Sequence, residues 1–209
     1  MTHREITHTG VYEAMALSFS KTSEEQIAKL LPKYPTKMAA CLPLLWLAQE
    51  DFGWISEDAM RLVAERLELP LSHVYGVATF YTMYNKKPVG HYHVQVCTNI
   101  SCMICGGYEV FDAFSRELNL KNGETSEDKL FTLQEVECLA ACGGAVCVQI
   151  NKDYHENIKA ADVPELVRKL RNAAPSPAPE VEEEHGRAHG VAVGGHVAAE
   201  FAAAEDKQV

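Results

Sequence analysis

Two spacings of apolar residues divide the chain. Between residues 21 and 87 apolar side chains recur every three or four positions, which is the period of an amphipathic helix. After residue 88 apolar and polar residues alternate, as in Val94-Gln95-Val96, which indicates strands. The period changes at Pro88-Val89-Gly90. We therefore predict a helical bundle over residues 21–87 and a second domain over residues 88–173.

The first part predicts four short helices with brief connections, which is the pattern of a small bundle. The first helix is capped by Thr22 or Ser23 and stops before Pro35, and the second runs over Thr36–Asp51. The third is capped by Ser56, and the fourth runs over Leu71–Tyr84. Pro43 lies inside the second range and should bend it, unless that helix starts later and holds Pro43 in its first turn. The fourth helix is rich in aromatic residues, and we expect them to pack in the core: Tyr75, Phe80, Tyr81 and Tyr84.

The second part predicts strands and helices in the order of a thioredoxin-like fold. The predicted elements are strand 91–97, helix 107–118, strand 130–137, strand 146–151, a short strand near 156–159 and helix 162–172. The first strand, helix and second strand can form a parallel crossover unit. The two later strands then extend the sheet in the antiparallel direction. The expected fold class is therefore α+β, a helical bundle followed by a thioredoxin-like domain.

Composition and charge narrow the class of protein. The chain is 47% apolar and 23% charged with a net charge of −10, which is ordinary for a globular protein and unlike a nucleic-acid binder. Residues 174–209 are rich in Pro, Ala, Gly and acids without a period, so we predict a disordered tail. Residues 1–20 also lack a period and are treated as an N-terminal extension. With no secretion signal and no apolar run long enough to span a bilayer, we expect a cytoplasmic protein.

Cysteines follow both strands of the predicted crossover unit. The first strand leads into Cys97 and Cys102, and the second into Cys138 and Cys142. Seven cysteines in a reducing compartment favour metal or redox chemistry over disulfides. Because the two strands deliver one thiol pair each to neighbouring loops, the pattern predicts a soft-metal or redox site.

Four interpretations fit subsets of these thiols. Cys102 and Cys105 form a C-x-x-C motif between a strand and a helix, where thioredoxins hold their dithiol. Cys97, Cys102 and Cys105 have the spacing of plant-type ferredoxins, and two thiol pairs could also bind structural zinc. A [2Fe–2S] cluster takes four thiolates and uses both loops, which makes it the preferred interpretation. A thiol–disulfide oxidoreductase and a zinc-stabilised interaction module remain the alternatives.

Several motifs together resemble the family of 24-kDa-type subunits of respiratory complex I, which are thioredoxin-like [2Fe–2S] ferredoxins. The resemblance covers about residues 20–172. It rests on Pro43-Leu-Leu with Gln49, Gly76-Val-Ala-Thr-Phe-Tyr, the segment from Cys97 through Cys102 to Gly106-Gly107, and Glu137-Cys-Leu-Ala-Ala-Cys142 followed by Gln149-Ile-Asn and Tyr154.

The resemblance implies a site, partners and a place in the cell. The cluster ligands would be Cys97, Cys102, Cys138 and Cys142. A flavoprotein subunit would hold FMN and NADH, since this sequence has no GxGxxG motif of its own. The chain would then be an electron-transfer subunit of NADH–quinone oxidoreductase, peripheral on the inner face of the cell membrane. Similar modules also serve NAD-reducing hydrogenases and formate dehydrogenases.

Two positions depart from the pattern of that family. Cys105 stands where the family commonly has another residue, so we expect a fifth thiol near the cluster. Val146 stands where the family commonly has proline, so we expect the geometry of the second cysteine loop and the environment of the cluster to differ from those of the family.

Overall fold

A computed structural model describes residues 17–173. The predicted disordered tail, 174–209, and residues 1–16 of the predicted extension lie outside the described residues. The described residues build two hydrophobic cores, one among residues 19–84 and the other among residues 94–167. The element pairs with the most extensive contacts lie within one core or the other. No helix in residues 17–173 is both long and apolar enough to cross a bilayer.

The first core is built by four helices. They are α1 (Lys21–Leu30), α2 (Cys41–Phe52), α3 (Glu57–Leu67) and α4 (Leu71–Phe80), with 3₁₀ turns at Leu31–Lys33 and Lys37–Ala40. Ser56 caps α3 as predicted, because its side chain accepts a hydrogen bond from the Ala59 N–H at 3.1 Å. The cap of α1 is Ser20, so that helix starts slightly earlier than predicted.

Two further helix boundaries differ from the predicted ones. The second helix begins at Cys41 rather than Thr36, which places Pro43 in the first turn, where an N–H has no intrahelical partner to lose. The fourth ends at Phe80 because the backbone of Tyr81 is extended. The chain then turns Tyr84 into the core, where its hydroxyl donates to the Leu42 carbonyl at 2.8 Å.

The aromatic residues of the fourth predicted helix do not share one environment. Tyr84 is buried as predicted. The expectation of core packing is wrong for the other three, since Tyr75 is 55% exposed, Phe80 77% and Tyr81 37%. Because α4 stops at Phe80, Tyr84 does not share a helical face with the other three: it is buried in the core, and they are exposed.

The second core lies on a four-stranded sheet. Its strands are β1 (Tyr92–Cys97), β2 (Phe131–Val136), β3 (Val148–Ile150) and β4 (Asp153–His155), in the order β2-β1-β3-β4. β1 and β2 are parallel, and β3 and β4 are antiparallel to their neighbours. The helices are α5 (Ile100–Ile104), α6 (Gly107–Leu118) and α7 (Val163–Ala173). The predicted crossover from β1 through α6 to β2 is therefore present.

The last predicted strand lies elsewhere. We expected it near 156–159, but the strand is β4, three residues earlier. The residues after β4 do not form a strand; their backbone is hydrogen-bonded to the second cysteine loop. The Asn157 N–H donates to the Gly144 carbonyl at 2.8 Å, and the Ile158 N–H donates to the Val146 carbonyl at 3.1 Å.

Candidate metal centre

The register of the parallel strands brings the two cysteine loops together. Cys97 ends β1 directly beside Val136, the last residue of β2. Because parallel strands end at the same edge of a sheet, the segments that follow them start side by side. The first segment carries Cys102 on α5, and the second carries Cys138 and Cys142. Cys97 and Cys102 are buried, whereas Cys138 and Cys142 are exposed.

The four predicted ligand thiols interact with one another. The Cys138 and Cys142 sulfur atoms lie 3.6 Å apart. The Cys102 thiol contacts that of Cys97 and also senses the charge of Cys142. One site therefore contains a thiol pair from each loop.

Hydrogen bonds to sulfur come from residues that the sequence did not single out. The Ala140 N–H donates to the Cys138 sulfur at 3.3 Å. The backbone N–H of Cys147 lies near the Cys102 sulfur, where it counteracts the rise in the pKa of that thiol. The Ser101 hydroxyl on α5 lies near the Cys142 sulfur, where it counteracts the rise in the pKa of that thiol. Such donors favour a thiolate and raise the reduction potential of a cluster that it ligates.

Helix α5 is itself an unpredicted element of the first cysteine loop. Its signal in the sequence is Asn99, whose side chain caps the helix by accepting from the Ile100 N–H at 2.9 Å. Cys102 is on its buried side, while Ile100, Met103 and Ile104 are exposed. The short helix thus holds a predicted ligand beneath an apolar surface.

Glycines permit the tight packing of the first loop. Gly106 has φ of 97°, in the left-handed region. At Gly107 a Cβ atom would lie 2.9 Å from the carbonyl oxygens of both Cys97 and Cys102. In the second loop Gly143 has open space around it, whereas Gly144 is in contact with the side chain of Glu156.

The electrostatics of the site oppose four bare thiolates. Burial and the neighbouring Cys97 thiol raise the pKa of Cys102 to about 11. Contact with Cys138 raises the pKa of Cys142 as well. Thiolates so close together repel each other, and positive charge is needed among them. Bound iron ions would supply that charge.

Of the remaining cysteines, Cys147 rather than Cys105 is placed as a fifth thiol in the site. Cys147 is buried and senses the charges of Cys97, Cys102 and Cys138, and burial raises its pKa to about 11. Cys105 is exposed at the end of α5, and Cys41 belongs to the helical core. The peptide bond between Ala145 and Val146 is cis.

The arrangement fits a two-iron cluster. Within residues 17–173 no three His, Cys, Asp or Glu side chains are grouped as ligands of one metal ion. The four thiols come instead as two pairs on two loops, and a [2Fe–2S] cluster takes two thiolates on each iron. A mixed sheet with thiol pairs after its adjacent parallel strands defines the class, a small iron–sulfur protein on a thioredoxin-like scaffold.

Comparison with known proteins gives the family. The model of the thioredoxin-like [2Fe-2S] ferredoxin family matches residues 27–171. The chain belongs to this family, which confirms the predicted family and the predicted α+β fold class.

Relatives extend over most of the chain. It is 42% identical over 158 residues to the E-type subunit of NADH-quinone oxidoreductase from Rickettsia prowazekii (strain Madrid E), covering 74% of this chain and 89% of that protein. A subunit of the same type from Rhizobium meliloti (strain 1021) is 38% identical over 152 residues, covering 73% and 90%. A solved NAD+-reducing [NiFe]-hydrogenase superposes with a TM-score of 0.57 at 17% identity, covering 65% of this chain and 23% of that one. This last likeness concerns the fold alone.

Proposed function

We propose that the chain is an electron-transfer subunit of an NADH–quinone oxidoreductase and carries one [2Fe–2S] cluster between its two cysteine loops. The chain is then part of an oxidoreductase without a nucleotide site of its own. The observation that carries the proposal is the pairing of thiols at the ends of two adjacent parallel strands, in a member of the thioredoxin-like [2Fe–2S] ferredoxin family.

The roles of the chain's own residues follow from their places. Cys97 and Cys102 would hold one iron, and Cys138 and Cys142 the other. When bound, the cluster supplies reversible one-electron exchange. The buried loop at Cys97 and Cys102 keeps water from one side of the site. Donors to sulfur, such as the Ala140 N–H, orient the ligands and adjust the potential.

The proposed partner is a flavoprotein subunit that binds FMN and NADH. Exposed aromatic side chains at the end of α4 support docking through the helical part, because large apolar patches commonly mark interfaces. They line a shallow surface hollow with Gly76 and Val77. Through this complex the chain would lie at the inner face of the cell membrane. The corresponding module of an NAD-reducing hydrogenase or formate dehydrogenase is the alternative host.

Spectroscopy and metal analysis of the full chain, purified without oxygen, test the proposal. We expect visible charge-transfer absorption and about two irons with two sulfides per chain. Replacing both Cys138 and Cys142 by serine should abolish the absorption and most of the iron. The matched control, Cys41→Ser, removes a buried thiol of the helical core and should retain the cluster.

Three outcomes contradict the proposal. A protein that contains zinc alone is the zinc-stabilised module. A colourless protein that reduces disulfides, and loses this activity in Cys105→Ser, is the thiol–disulfide oxidoreductase. Full iron content in the double serine variant would show that the ligand assignment is wrong.

A further inference from the structure

We propose that Glu156 is a positioning residue for electron transfer, which lowers the reduction potential of the cluster by placing a carboxylate against the second cysteine loop. The inference rests on the proposed function, since it requires the cluster. It concerns a residue outside both cysteine loops, on the segment that follows β4.

The Glu156 side chain lies against the second cysteine loop. A Cβ atom built on Gly144 would lie 2.6 Å from the Glu156 Cδ, so the carboxyl group occupies the space that a side chain at position 144 would need. Backbone hydrogen bonds from Asn157 to Gly144 and from Ile158 to Val146 hold the two segments together. The carboxylate therefore packs on the loop that carries Cys142.

The charge of Glu156 reaches into the site. It acts on the Cys147 thiol, which also senses Cys97, Cys102 and Cys138. Two other carboxylates near the loops accept hydrogen bonds, whose donor dipoles offset part of the field of the charge: Thr98 donates to Glu135 at 2.8 Å and Asn99 to Glu137 at 2.7 Å. Within residues 17–173 no hydrogen-bond donor or cation is paired with Glu156. Its negative charge is thus less compensated than that of either neighbour.

The direction of the effect follows from charge alone. Reduction of a bound cluster would add one electron, supplied in the proposed complex by the flavin of the partner subunit. No bond would be made or broken, and the net charge of the site would become more negative by one. A nearby carboxylate disfavours this change by Coulomb repulsion. Since net charge is among the factors that set cluster potentials, Glu156 should hold the potential down.

Redox titration of the full chain with its cluster is the test. Glu156→Gln keeps the size of the side chain and removes its charge, so the midpoint potential should shift to more positive values. Glu156→Lys should shift it further in the same direction, and added salt should narrow the differences because the side chain is exposed. The matched control is Asp153→Asn, which removes an exposed charge opposite Ile150, at the far end of the β3–β4 hairpin from Cys147. It should shift the potential less.

The outcomes separate this inference from the proposed function. Two irons per chain with an unchanged potential in Glu156→Gln overturn the inference and leave the function standing. A chain without iron overturns the function itself. A shift in Asp153→Asn equal to that in Glu156→Gln would show a general surface-charge effect and would also overturn the inference.

A double-mutant cycle tests the contact independently. Gly144→Ala should reduce iron content and thermal stability in the otherwise native chain, because the new methyl group meets Glu156. In the Glu156→Gly background the carboxyl group and the Cβ atom that the new methyl group would meet are gone, and the same substitution should cost clearly less. Equal losses in both backgrounds would contradict the placement of Glu156.

Discussion

Gly107 connects the first cysteine loop to α6 at the most crowded point of the backbone in the site. A Cβ atom there would lie at 2.9 Å from two carbonyl oxygens, those of Cys97 and Cys102. These are backbone atoms of two predicted ligands, so they cannot move aside without moving the thiols. At the scale of single residues, the geometry of the centre therefore depends on positions that bear no sulfur.

Substituting this glycine should damage the site. We expect Gly107→Ala to destabilise the chain by about 1–3 kcal/mol through overpacking, and to lower the iron bound per chain. The measurements are denaturant unfolding and iron analysis. The matched control is Gly143→Ala in the other loop, where a Cβ atom would meet nothing within 4 Å. Equal iron loss in both variants would contradict the argument from space.

His93 predicts a pH dependence of stability. It is buried on β1, with its Nε2 atom 2.8 Å from Gln134 Oε1, and burial lowers its pKa despite that hydrogen bond. The unfolded chain, with a histidine pKa of about 6.5, therefore takes up a proton before the folded chain does. The contribution of His93 to the free energy of unfolding is therefore fully present above the unfolded-state pKa. It should be lost as the pH falls from that value towards the lower pKa of His93 in the folded chain.

The variant His93→Gln isolates this contribution. Gln retains a hydrogen-bonding group at a similar reach but does not titrate, so the variant should lack the histidine part of the acid-induced loss. Urea unfolding of both proteins across this pH window provides the comparison. Parallel stability curves would show that His93 is not the responsible group.

At the scale of elements, periodic segments were predictable and short ones were not. The stripe of Met60, Val63, Ala64 and Leu67 is buried along α3, because eleven residues suffice to show a helical period. Helix α5 has five residues, fewer than two turns, and left only its Asn99 cap as a signal. The end of α4 could not be predicted either, because it is linked to the burial of Tyr84 against Leu42, and a local sequence pattern does not show such a tertiary contact.

The same distinction applies to the candidate site. The four thiols were predictable because their spacing follows two strands and resembles a family. Ser101 and Glu156 were not, since Ser101 lies on the other cysteine loop and Glu156 returns to the second loop only through the β3–β4 hairpin. The place of Cys147 among the thiols of the site also required the fold, since the sequence had pointed to Cys105 as the fifth thiol.

The exposed end of α4 gives a prediction at this scale. Phe80 is 77% exposed and stacks edge-on against Tyr81, so it contributes little to the helical core. We expect Phe80→Glu to change the free energy of unfolding by less than about 0.5 kcal/mol. Association with the flavoprotein subunit should weaken by about tenfold or more, because buried aromatic anchors dominate interfaces.

Co-purification and binding titration with the flavoprotein subunit measure this effect. The control is Tyr154→Glu, which changes an exposed aromatic residue on β4. Undiminished binding of Phe80→Glu, or equal losses in both variants, would rule out the α4 surface as the docking element.

At the scale of the whole molecule, two cores meet with few side-chain links. Lys152, at the turn between β3 and β4, pairs with Glu50 and lies 6.0 Å from the centre of the Trp46 ring. Both charged side chains are about half exposed, and such pairs contribute little to stability. The two cores should therefore respond separately to a change that affects only one of them.

Removal of iron is such a change. Both tryptophans of the chain, Trp46 and Trp54, belong to the helical part, and Trp46 packs against the first core, so the unfolding midpoint followed by tryptophan fluorescence is that of the helical part. The cluster would bridge two loops of the second core, and a metal that binds only the folded state adds its binding free energy to stability. Chelation of the iron should thus lower the unfolding midpoint of the sheet much more than that of the helical part. Hydrogen exchange of β1 and β2 measures the first midpoint, and tryptophan fluorescence measures the second. Adding chelator to the iron-free double serine variant of Cys138 and Cys142 controls for direct effects of the chelator. Equal shifts of both midpoints on iron removal would mean that the two cores unfold as one cooperative unit, with the helical part stabilised by the cluster as strongly as the sheet.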